Sequence, residues 1–194
     1  MDCTQRYRRR HQGRAPSRLI QAGYSIYDLL ITSAVASVLG LGAVGMTGMV
    51  QDGRMTAQVN HLMGHLNLAR SESIKRGTAV TMCKTENGAN CATGSEWHNG
   101  WIIFVDEDAN HQINDGETII KIEQPLDAVA LNFAGALNHD RYVTYKPGGM
   151  VEPNGTFTFC DNRGAKKAKA VILLGTGRPR VSSVSASNAP LSCP

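Results

Sequence analysis

Residues 23–50 read GYSIYDLLITSAVASVLGLGAVGMTGMV, and the fold is decided there. From Leu29 to Val50 there are 22 residues with no charge and no proline. At about 1.5 Å per residue this is roughly 33 Å of helix, enough to cross a bilayer core of about 30 Å. Ala, Gly, Ser and Thr are frequent in it, which suits close helix–helix contact in a membrane or a packed fibre. On its N-terminal side, residues 1–23 hold six Arg against one acid, Asp2, whereas the other 171 residues hold 14 Lys and Arg against 15 Asp and Glu. Cations ahead of an apolar helix place that end in the cytoplasm and the following domain across the membrane. The net charge of +4 over 194 residues thus belongs to the leader and is no argument for a nucleic-acid partner. A hydrophobic content of 42% excludes a collagen-like or wholly disordered chain.

The helix pattern continues past Val50. Val59, Leu62, Met63, Leu66, Ala69 and Ser73 mark one face of an amphipathic helix, and Lys75, Arg76 and Gly77 form a stop signal. No proline falls between Pro16 and Pro125, so one helix is expected over 24–76. Eight strands are then expected: 78–83, 100–105, 118–123, 128–133, 142–145, 156–160, 168–174 and 180–184, separated by Gly, Asn, Asp and Pro turns. The chain reads as α+β: a basic leader 1–23, a membrane-spanning helix 24–50, its amphipathic continuation 51–76, and an antiparallel β-rich domain 77–194.

Four cysteines, Cys83, Cys91, Cys160 and Cys193, lie beyond the apolar helix, where export permits two disulfides. Of three pairings, Cys83–Cys91 and Cys160–Cys193 are favoured. The first closes a short polar loop and the second staples residues near 193 onto the last sheet. No CxxC or HxxxH ligand spacing is read with them, and neither a metal nor a cofactor is expected. Asp106, Asp108, Asn110, Gln112, Asn114 and Glu117 fit the ligand positions of a calcium loop, but His111 stands where its sharp turn wants Gly, and a solvated hairpin loop is the better reading. No histidine and serine spacing marks a nucleophile with its base, so no enzyme is expected. Trp97 and Trp101 read as packing residues.

Gly23-Tyr24-Ser25-Ile26-Tyr27-Asp28, between a basic leader and an apolar run, resembles a type IV prepilin signal. The resemblance implies cleavage after Gly23 by prepilin peptidase, N-methylation of Tyr24, and use of Asp28 as the carboxylate that pairs with a neighbouring subunit's terminal ammonium. That family usually has Phe and Glu where this chain has Tyr24 and Asp28. Asn67-Leu68-Ala69-Arg70-Ser71-Glu72-Ser73, Trp97-x-x-Gly100-Trp101, Asp115-Gly116-Glu117 and Tyr145-x-Pro147-x-Gly149 extend the likeness over about residues 19–180, to the GspH/FimT branch of minor pilins and pseudopilins. The implied fold is pilin-like. The implied location is the inner membrane, single-pass, with a periplasmic domain that enters a pilus beside other pilins.

Some FimT-like members bind DNA for natural transformation and carry Gly-Arg-x-Arg near the C-terminus; this chain has Gly177-Arg178-Pro179-Arg180. Pro179 is expected to hold this segment out of regular strand pairing, in a loop, with Gly177 allowing close approach. Arginine forks suit phosphate oxygens. Charge segregates accordingly: residues 96–140 have nine acids and one Lys, and residues 141–194 have eight Lys and Arg with two acids. Arg163, Lys166, Lys167 and Lys169 precede the strand that leads to Arg178 and are expected near it, with Lys146, as an extension of the site. The implied function is non-specific DNA binding by a minor pilin. A GspH-like structural pseudopilin of type II secretion, touching only protein, is the alternative.

Overall fold

The structure, a computed structural model, describes residues 23–94 and 96–193, with the side chains of residues 38–46 outside that description. The chain divides into two units, Met1–Met46 and Thr47–Pro194. The basic leader, residues 1–22, lies outside the described residues. Ser25 begins the helix: its hydroxyl accepts from the Tyr27 N–H (3.4 Å) and its own N–H donates to the Asp28 carboxylate (3.0 Å), the reciprocal arrangement of a capping box. Helix α1 then runs Ile26–Arg76. In the first unit Ile26, Tyr27, Leu29, Leu30, Ile31 and Val35 are exposed. Thr32, Ser33 and Ser37 return their hydroxyls to helix carbonyls at 2.7–3.1 Å, so the polar groups of this stretch are satisfied internally. The membrane span expected over 24–50 falls partly on residues 38–46. Among the described residues no helix is long and apolar enough to cross a membrane.

In the second unit the expected stripe becomes the core. Val59, Leu62, Leu66, Ala69 and Ser73 of that stripe are buried and Met63 is half-buried against them, while Met55, one turn earlier, extends the buried face. Two antiparallel sheets take up that face. One has the order β3-β2-β1-β5-β6, from β1 (Ala79–Lys84), β2 (Trp101–Asp106), β3 (Ile119–Glu123), β5 (Tyr142–Tyr145) and β6 (Val151–Glu152). The other has the order β4-β7-β8-β9, from β4 (Ala130–Gly135), β7 (Gly155–Cys160), β8 (Lys169–Leu173) and β9 (Pro179–Ser182). The two-residue β6 was not foreseen; it is too short to show a period-two pattern. Val80, Met82, Trp101, Ile103, Val143, Leu131, Phe133, Phe157, Val171 and Leu173 complete one cluster with the helix. Trp97 closes it, edge-on to Phe157 with ring centroids 5.1 Å apart, its indole N–H on the Asp140 carbonyl at 2.6 Å.

Each sheet has a second apolar face, and a disulfide-tethered segment covers it. Cys83, Ile102 and Phe104 pack under the Cys83–Cys91 loop. Cys160, Ala168, Ala170 and Ile172 pack under Leu191, in the segment that Cys160–Cys193 holds down.

Candidate nucleic-acid interface

Two glycine turns meet at one end of β8. Tyr145 ends β5, and residues 146–149 turn back to β6 with Gly149 N–H on the Lys146 carbonyl (2.9 Å). Residues 174–177 turn from β8 toward β9, with Gly177 N–H on the Leu174 carbonyl (2.8 Å). The turns are pressed together: a Cβ at Gly177, where φ is +73°, would run into the Gly149 carbonyl oxygen. The Tyr145 hydroxyl donates to the Gly177 carbonyl (3.1 Å) and Val151 N–H donates to the Gly175 carbonyl (3.1 Å). Burial pushes the Tyr145 phenol well above its ordinary pKa, so it stays a donor. The close approach that Gly177 permits is therefore to this chain's own backbone.

Arg178 and Arg180 follow directly. The expected loop is corrected here: Pro179 is the first residue of β9, an edge strand, a position where proline is tolerated, and it stands opposite Leu173. Arg180 stands opposite Ile172 and so shares its face, the one covered farther along by Leu191. Both arginines are exposed, and neither makes an ion pair among the described residues.

The lysine cluster is not beside them. Lys169 begins β8 and the Arg178 turn follows its end, about 13 Å away along the strand. Arg163 is engaged at that far end. It grips Asp161 (2.6–3.1 Å) and reaches Asp52 of α1 at 2.6 Å, which holds both carboxyls below their usual range and raises the guanidinium's own pKa. Lys167 lies 4.0 Å from Asp52, Lys169 donates to the Thr56 hydroxyl (2.9 Å), and Lys166 is exposed. Sequence proximity misled because a strand separates the ends it joins. Lys146 does lie at the Arg178 end, in an exposed pair with Glu152 whose hydrogen bond lowers that carboxyl's pKa.

The structure also assembles groups that the sequence reading passed over. His61 and His65 have HxxxH spacing and share a helix face; with Glu123 at the end of β3 they bring three ligand-type atoms within 4.8 Å of one another. His61 Nδ1 is 3.2 Å and His65 Nε2 3.8 Å from the Glu123 carboxylate. Trp101 governs what this group can do. Its indole N–H, a donor only, points at His65 Nδ1 (3.1 Å). In the neutral ring the proton then sits on Nε2, the nitrogen a cation would need, and a ligating histidine ordinarily donates from its other nitrogen. Burial, His61 and Lys121 lower the His65 pKa to about 4, so the ring is neutral at pH 7. Asp106, Asp108 and Glu117 also converge. Their oxygens accept amide N–H groups of the same loop (Glu107, Asn110, His111 and Asn114), and the Thr81 hydroxyl donates to buried Asp106 at 2.6 Å. On the helix, Arg70 is half-buried and donates from Nε to the Gly149 carbonyl at 3.1 Å.

The family model described as "Type II transport protein GspH" matches residues 58–177. No curated protein sequence matches the chain. Two crystal structures of the Pseudomonas aeruginosa type IV minor pilin FimU are similar in fold. The first has a TM-score of 0.52 at 19% identity, covering 72% of this chain and 94% of that one. The second has a TM-score of 0.50 at 17% identity, covering 72% and 99%. A helix laid on two antiparallel sheets, with a family match over residues 58–177, decides the matter: the chain belongs to the GspH/FimT family of type IV minor pilins and pseudopilins.

Proposed function

We propose that this pilin is FimT-like: a minor type IV pilin that binds DNA without sequence preference, through phosphate contacts centred on Arg178 and Arg180, in natural transformation. The observation behind this reading is the exposure of both guanidiniums on an edge strand and its turn, with no ion pair among the described residues. Lys146 lies at the same end, and its exposed pair with Glu152 is cheap to exchange for a phosphate. Lys166 and Lys169, at the far end of β8, would extend the contact, whereas Arg163 and Lys167 there are engaged by Asp161 and Asp52. In this reading the leader is removed after Gly23, Tyr24 is methylated, and residues 24–50 sit in the inner membrane before the subunit joins other pilins.

A structural pseudopilin that touches only protein is the second reading. One observation favours it: the matching residues end at Gly177, one short of Arg178, so family membership alone does not include the arginine pair. Fluorescence anisotropy of the detergent-solubilised chain with labelled duplexes of unrelated sequence separates the two. DNA binding predicts similar affinities for all duplexes and a steep loss with salt. Changing Arg178 and Arg180 together to Gln should weaken every duplex and reduce the salt slope by roughly two. No binding by the parent at low salt would leave the pseudopilin reading standing.

A further inference from the structure

We infer that Arg70, from α1, is a third phosphate-binding arginine of the same patch, so that the DNA site is assembled jointly by helix and sheet. This rests on the DNA-binding reading above. The geometry turns on one atom. Arg70 Nε donates to the Gly149 carbonyl oxygen, and Gly177 is pressed against that same oxygen. Consecutive Cα atoms are about 3.8 Å apart, so the Arg70 guanidinium lies within about 10 Å of the Arg178 Cα. Duplex DNA carries one charge per about 1.7 Å of its axis, so a patch of that width meets several phosphates.

The lack of an ion-pair partner separates Arg70 from its neighbours among the described residues. Lys75 and Arg76, in the last turn of the same helix, both pair with Glu72. Lys146 pairs with Glu152, Arg54 with Asp127, and Arg163 with two acids. Arg70 meets no carboxylate among the described residues, and one bond to a carbonyl uses one of its five N–H donors. A half-buried cation without a counter-ion is costly to keep, and a phosphate would offset that cost. Its stem is already fixed by the bond to Gly149, so binding a phosphate there would sacrifice little side-chain entropy.

Two measurements on the detergent-solubilised full chain test this. In the first, arginines are modified with phenylglyoxal with and without duplex DNA, and the sites are read by mass spectrometry. Arg70, Arg178 and Arg180 should be protected, while Arg54 and Arg141 react equally in both samples. In the second, Arg70→Gln should lower affinity about five- to tenfold and the salt slope by about 0.9, and Arg70→Lys should keep most of the slope. Protection of Arg178 and Arg180 with Arg70 fully reactive overturns the inference and leaves the DNA reading intact. Absence of protection at all three, with no anisotropy change, overturns both. If Arg70→Gln does not fold, the protection pattern on the unaltered chain still decides.

Discussion

Gly177 is next to an arginine for a steric reason. Its φ of +73° is costly for any residue with a Cβ, and a Cβ would overlap the Gly149 carbonyl. Gly177→Ala should therefore cost about 2–4 kcal/mol, from the left-handed backbone and from overpacking together. Gly175, two residues earlier, has open space around its Cα, and Gly175→Ala should change stability by less than about 0.5 kcal/mol. Thermal unfolding of both variants checks the contrast, and equal melting temperatures would refute the steric account. The Gly-Arg-x-Arg pattern was readable in the sequence. What its glycine touches was not, since Gly149 is 28 positions away.

At the scale of elements, α1 is tied to the first sheet through His65. Leu62 and Leu66 beside it are core residues, and the ring itself is buried with its Nδ1 on Trp101 of β2 and its Nε2 toward Glu123 of β3. Because its folded pKa is depressed to about 4, the unfolded chain takes up a proton at His65 first as pH falls. Stability is therefore fully present above about pH 6.5, declines as pH drops, and levels off below about 4, a loss on the order of 3 kcal/mol. His65→Gln keeps an acceptor for the indole N–H and removes the titration. Urea unfolding at pH 7 and pH 4.5 should show a smaller pH-dependent loss in the variant than in the parent. An unchanged difference would mean that His65 does not titrate as argued.

At the scale of the whole molecule, the expected cleavage after Gly23 is the step that would turn a leader-bearing chain into a filament subunit. N-terminal sequencing of the processed protein should begin at Tyr24, and Gly23→Val should retain the full-length chain in the membrane fraction; a start beyond Ala34 contradicts the pilin processing route. Asp28 caps the helix through Ser25, so the carboxylate proposed to meet a neighbouring subunit already has a local partner to leave. The sequence by itself determined the order of elements apart from the two-residue β6: the apolar run, the 59–73 stripe and the punctuated strands are local patterns whose periods of 3.6 and 2 follow from backbone geometry. It also located the arginine pair, because that motif is contiguous. Tertiary structure alone decided which charges share a surface. It put the lysine cluster at the far end of β8, engaged Arg163 with Asp161 and Asp52, and brought Arg70 to Gly149 across 79 positions. The physical reason is that a helix face and strand registers fix these neighbours, and each is set by burial of the apolar side chains between them, which a run of charged residues does not record.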